Sequence, residues 1–234
     1  RVWSKETGPP PASPGVNEAV RRTQSDLPPL RSAQLAFIGP ASGKLRFSST
    51  LLRRGRSSAV VASDCLNEEG PAARVLFVFG AARESKVAHQ FLPMPEVAAP
   101  QECRPFRKEG TDAPRGFFKN FETRIAAGAR LLDGGDVRPE FAVWTRFLDA
   151  GAADPTTALL AFADCLPPAA MTVFPQPAPI STMTWTVDIA RTPESLDGWH
   201  LLSAGEGYTL QNMAMWGANR TLIATGRQVV AIFV

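Results

Sequence analysis

The sequence predicts an α+β fold in which an antiparallel sheet wraps a buried helix, with this arrangement present twice and its N-terminal copy incomplete. Three observations lead there. The stretch from Asp154 to Leu166 reads as a helix without a polar face. Short runs rich in Val, Phe and Leu, split by Gly and Pro, fill much of the remaining chain. Ser32–Ser85 and Ser181–Phe233 each spell a strand, a turn, a long bent strand, a turn and a closing strand, which marks an internal duplication.

Length and composition bound the rest. A chain of 234 residues with 44% hydrophobic side chains holds one large domain or two of about 100–120 residues. Residues 1–91 are expected to form an N-terminal half, 92–116 a Pro-rich linker and 117–234 a C-terminal half. The 25 basic and 22 acidic side chains leave only +3, which argues against a nucleic-acid partner. Cys65, Cys103 and Cys165 show neither metal spacing nor a disulfide framework and are expected to be reduced thiols in the cytoplasm. With only His89 and His200 there is no histidine-rich metal site. No apolar run reaches the ~18 residues of a membrane span, and no signal peptide is visible. The chain opens on Arg1 rather than methionine, so either residues are missing ahead of it or the first copy is reduced.

Taken in order, Gly8–Gly15 holds four prolines, and only Asn17–Gln24 reads as a short helical stub. Ala33–Ile38, Lys44–Arg53, Ser57–Leu66 and Ala73–Ala82 read as an antiparallel meander with turns at Gly39-Pro40, Arg54-Gly55 and Glu69-Gly70-Pro71. Leu92–Pro114 carries five prolines, as a linker or a surface crossover would. Phe117–Leu132 and Glu140–Phe147 follow as strands. In the helix, Asp154 suits the N-cap and Pro155 the first turn, while Pro167-Pro168 stop it. Thr182–Arg191, Trp199–Trp216 and Leu222–Val234 complete the strands, the middle one bent near Gly205 and Gly207. Without a full helix of its own, the first copy is expected to leave Phe47, Leu51, Phe77 and Phe79 poorly covered, with a homo-oligomer as the remedy.

One charge survives on the apolar helix. Asp164 sits where the helix dipole disfavours an anion, and burial adds to that, so its pKa should be raised. Its plain alternative is a helix-end carboxylate bonded to a backbone N–H. Gln228 is a lone amide on the apolar face of Ala224, Gly226, Val230 and Ile232, and needs a partner. Thr182 shares a polar face with Thr184, Thr186 and Asp188, opposite Met183, Trp185, Val187 and Ile189, so it points to solvent unless the sheet interface or a bulge turns this face toward the site. Arg53, Arg54 and Arg56 suit a solvated hairpin tip or phosphate contacts alike.

Several short motifs occur together in one order: Leu51-Leu52-Arg53-Arg54-Gly55-Arg56-Ser57, Val78-Phe79-Gly80-Ala81, Phe118-Lys119-Asn120-Phe121-Glu122, Val143-Trp144-Thr145-Arg146, Ala163-Asp164, Ile180-Ser181-Thr182 and Gly226-Arg227-Gln228. In these the chain resembles the acyl-CoA thioesterase II and thioesterase-like double hotdog family over about Asn17–Val234. The resemblance implies a double hotdog fold and hydrolysis of acyl-CoA to a carboxylic acid and coenzyme A, without metal or redox cofactor. It implies Asp164, Thr182 and Gln228 as the groups that activate water. It puts Gly80 at the Gln position of the first copy, and so one active site in the second half. Two rivals stay open: a degenerate hotdog module that binds acyl groups or mediates assembly, and a hotdog dehydratase or hydratase, for which His89 and His200 lie outside the helix.

Overall fold

The computed structural model describes Val20 and residues 26–41, 43–87, 89–107, 116–133, 137–148, 154–191, 200–205 and 210–233. Its helix α1 spans Pro155–Ala163. Asp154 caps it by accepting from the backbone N–H groups of Thr156 at 3.0 Å and Thr157 at 3.3 Å, which satisfies two of the donors a helix start leaves open. Leu159, Leu160, Ala161, Phe162 and Ala163 are all buried. The helix therefore has no solvent stripe along its second half, as the sequence implies.

Ten strands surround it: β1 (Leu30–Phe37), β2 (Arg46–Arg54), β3 (Ser58–Leu66), β4 (Pro71–Gly80), β5 (Phe121–Gly128), β6 (Phe141–Phe147), β7 (Ile180–Ile189), β8 (His200–Gly205), β9 (Leu210–Trp216) and β10 (Leu222–Ile232). They form one sheet in the order β2-β3-β4-β1-β7-β10-β9-β8-β6-β5, antiparallel at every pairing. The orders β2-β3-β4-β1 and β8-β9-β10-β7 are the same topology, so the duplication read from sequence is real at the level of the sheet. β1 and β7 join the copies edge to edge, Gln34 facing Thr186, and leave no open strand between them.

Three expectations change. Trp199–Trp216 is not one bent strand: within it β8 and β9 pair with each other, Leu201 opposite Trp216 and Gly205 opposite Asn212. The expected strand Phe117–Leu132 begins as a 3₁₀ turn at Gly116–Asn120 and is extended only over Phe121–Gly128. It ends there because Gly128 has φ +79° and its position would put a Cβ 2.2 Å from the Glu140 carbonyl oxygen, a conformation and a clearance open to glycine alone. Phe77 and Phe79 are fully buried within the chain itself, Phe47 is half-buried, and only Leu51 is exposed. Of the N-terminal stub only Val20 is described; it is helical and belongs to the same core as α1 and both halves of the sheet. The prolines at 8–15, Trp199 and Gly207 lie outside the described residues.

The second half is covered on its other face as well. Residues 89–106 cross it as a strap over Ala142, Trp144, Ala214 and Trp216. The indole N–H groups of Trp144 and Trp216 donate to the carbonyls of Ala98 (2.9 Å) and Leu92 (3.0 Å). Arg220 donates to the Met94 carbonyl at 3.1 Å and the Gln90 side chain accepts from the Leu222 N–H at 2.8 Å. Extended backbone carbonyls without a strand partner are thus satisfied by the two tryptophans that the outer face buries. No helix among the described residues is long and apolar enough to cross a membrane.

Candidate active site

An irregularity in β7 assembles the site. Gln228 faces Trp185 and Val229 faces Thr184, but Val230 faces Thr182, so Met183 is an extra residue on β7. Strand side chains alternate faces, and one inserted residue reverses the alternation beyond it. Trp185, Val187 and Ile189 point to the core on one side of the bulge, and Thr182 turns inward on the other, while Met183 is 54% exposed. Alternation in the sequence alone puts Thr182 outside, and the bulge reverses that.

Thr182 then meets Gln228. The Gln228 Nε2 donates to Thr182 Oγ1 at 2.8 Å. The Gln228 Oε1 accepts from Nε2 of Gln211 at 2.6 Å, and Gln211 Oε1 accepts from the Ala169 backbone N–H at 2.9 Å. Sequence reasoning does not single out Gln211. It is 3% exposed and Gln228 6%, so both amides need these partners. The plain requirement for a partner at Gln228 is met on β9, directly across the ladder.

Asp164 is the C-cap of α1, half-buried, its backbone N–H donating to Leu160 O. Burial pushes its carboxyl up to about 7, and no charged partner among the described residues opposes that rise. Among the described residues no direct hydrogen bond joins its carboxylate to Thr182 or Gln228; the helix end reaches the amides through Ala169, five residues on. Its chain neighbours Ala163 and Leu166 form one wall of an apolar slot, and Val187, Met213, Met215 and Gly226 form the other. Met213 and Gly226 lie two positions from Gln211 and Gln228 on the same strands, so the slot adjoins the amide pair along the sheet. Gly226 keeps it open: a Cβ there would sit 2.7 Å from the Thr186 carbonyl oxygen and 3.4 Å from the Met213 methyl. A titrating carboxyl, inward-facing donors and an apolar slot are together suited to deprotonating a water beside a carbonyl with an apolar tail.

The profile of a family described as acyl-CoA thioesterase C-terminal domain matches residues 100–232. This chain belongs to that acyl-CoA thioesterase family. A search of curated proteins returned no significant match. Among solved structures, a conserved protein of unknown function with a hot dog fold from Alicyclobacillus acidocaldarius is similar at 22% identity and TM-score 0.84, over 100% of this chain and 90% of the other. A putative thioesterase II from Thermobifida fusca YX is similar at 19% identity and TM-score 0.79, over 95% and 85%. Acyl-CoA thioesterase II TesB2 from Mycobacterium marinum is similar at 16% identity and TM-score 0.73, over 94% and 87%. At these identities the neighbours establish the hot dog fold.

Within this acyl-CoA thioesterase-family chain the two copies differ at the site. β1 carries the same bulge as β7: Leu30 faces Phe79 and Ser32 faces Val78, with Arg31 extra. That register sets Leu30 in the place of Thr182. Phe77, opposite Ala33, takes the place of Gln228, opposite Trp185. Val61, opposite Phe77, takes the place of Gln211. The residue at the Gln position of the first copy is thus Phe77, not Gly80. Leu30, Val61 and Phe77 are each 0% exposed, and none can hold or move a proton. Arg54 at the first hairpin tip is engaged by Asp26 at 2.8 Å.

Proposed function

We propose that this chain hydrolyses an acyl-CoA thioester to a carboxylic acid and free coenzyme A. The observation that carries this reading is the inward-turned Thr182 bonded to Gln228 at 2.8 Å and linked through Gln211 to Ala169, five residues past Asp164, whose carboxyl burial pushes up to about 7. Water is the nucleophile. Asp164 takes its proton as the oxygen adds to the thioester carbonyl carbon, and returns a proton to sulfur as the carbon–sulfur bond breaks. The Gln228 Oε1 is occupied by Gln211, so Gln228 acts as a donor and not as an acceptor. One Nε2 proton goes to Thr182, and the second is left for the water or the carbonyl oxygen. The apolar slot between Ala163, Leu166, Met213 and Gly226 holds about one water as it stands and is the place that widens to receive the acyl chain. A cytoplasmic homo-oligomer fits this reading, joined through surfaces other than Phe77 and Phe79, which the chain already buries.

Thiol release measured over a panel of acyl-CoA chain lengths tests the function. Hydrolysis with saturation in acyl-CoA is expected; binding without any thiol release defeats it and leaves a non-catalytic acyl-binding module. Gln228→Ala should lower turnover by roughly 10²–10³-fold, as loss of one preorganised donor does. Thr182→Ala should cost less, because a second water can replace the hydroxyl. Turnover of Gln228→Ala within threefold of the parent removes the amide from the chemistry.

A further inference from the structure

Two buried amides in series can be arranged in four ways, and only one pairs a donor with an acceptor at every contact from Ala169 to Thr182. A backbone N–H can only donate. The Ala169 N–H is also an end group, the first residue of the 3₁₀ turn Ala169–Thr172 and preceded by Pro168, so it has no partner within that turn. It therefore requires the oxygen of Gln211, at 2.9 Å, to face it. The Gln211 nitrogen is then forced toward Gln228, at 2.6 Å, and requires the Gln228 oxygen there. The Gln228 nitrogen is left for Thr182, whose oxygen accepts at 2.8 Å, and the Thr182 hydroxyl proton is released to point onward.

We infer that Gln211 is a positioning residue, which transmits the fixed polarity of the Ala169 N–H to Gln228 and Thr182 so that both present donors to the reacting atoms. This rests on the proposed hydrolysis for its catalytic consequence, though not for the orientation of the amides. Gln211 touches neither water nor substrate in this role. Its third contact, Nε2 to Met213 Sδ at 3.5 Å, reaches the wall of the apolar slot, so one side chain anchors both the amide pair and the slot. The first copy fits the same logic in reverse, since Val61 and Phe77 stand in place of the two amides and no polarity is needed there.

Two variants separate the roles of Gln211. Gln211→Glu keeps an acceptor for Ala169 but, ionised, offers no donor, so the Gln228 amide must turn over. Gln211→Met has comparable volume and carries no amide. Both should lower kcat by about 10- to 100-fold, the scale of a misplaced catalytic group, with KM within about threefold of the parent. Adding Gln211→Met to Gln228→Ala should then cost less than about twofold more, because Gln211 acts only through Gln228. The NMR signals of the Gln228 side-chain amide, identified by their absence in Gln228→Ala, should exchange with water roughly tenfold faster in Gln211→Met. A folded Gln211→Met with parental kcat, or losses that multiply with Gln228→Ala, overturns the inference. If the parent releases no thiol, the hydrolysis reading fails while amide exchange still decides the orientation: unchanged exchange in Gln211→Met overturns it.

Discussion

Asp164→Asn is expected to turn over acyl-CoA about 10²–10⁴-fold more slowly than the parent, while unfolding at a higher temperature at pH 8. The loss is that of a general base replaced by a group of the same shape that cannot take a proton. The gain follows from burial. The carboxyl ordinarily titrates at 3.8 and is pushed up to about 7 in the folded chain. Between those values the folded chain holds a proton that the unfolded chain releases, so stability is fully present below 3.8 and falls as pH rises through about 7. A tenfold change in proton affinity on folding corresponds to about 1.4 kcal/mol. Because Asp164 keeps some solvent contact, we expect about 1–3 kcal/mol of this to be recovered by Asn at pH 8 and close to none at pH 4. In the parent, kcat/KM should rise with pH through about 7 and level off above it. Denaturant melts at both pH values, together with the pH–rate profile, check the pair. Parental turnover in Asp164→Asn puts the base elsewhere, and equal stability at both pH values shows that the carboxyl is not desolvated.

Phe162→Ala should cost about 3–5 kcal/mol, the range for emptying a buried aromatic site. Phe162 is fully buried and fixes α1 against the sheet by edge contacts with Phe121 (5.5 Å) and Phe147 (4.6 Å) and a tilted contact with His200 (5.0 Å). For a chain of this length the loss corresponds to a fall in Tm of roughly 6–20 °C. Because Phe162 lies two residues before Asp164, turnover should also fall at temperatures where the variant remains folded. Chemical unfolding showing less than about 1 kcal/mol of destabilisation would mean that the helix is seated by other contacts.

The start of the helix was legible because local chemistry writes it, a capping Asp154 with Pro155; its end falls at Ala163, short of the Pro167-Pro168 expected to stop it. The strands near β3, β4, β6 and β10 were legible by their apolar runs and turn residues. What escaped was pairing. Gln211 and Gln228 are 17 residues apart, and nothing in either segment states that they stand opposite one another. The bulge at Met183 is likewise invisible in Thr182-Met183-Thr184-Trp185, since an extra residue is defined only by the strand beside it. The same limit explains Trp199–Trp216, where a continuous apolar run concealed a chain reversal that only the ladder of β8 on β9 reveals. A motif match gave the residue types of the site, while their inward geometry depended on register.

The shared seam at β1 and β7 has a consequence for mutational drift. A carboxyl held far from its ordinary titration makes the C-terminal copy a standing load on the fold. The N-terminal copy acts as ballast on the same sheet, since Leu30, Val61 and Phe77 occupy the matching places with fully buried apolar surface. Substrate preference can therefore wander through costly changes in one copy as long as the other stays dense. How far the proposed site can evolve is set by side chains that never meet a substrate.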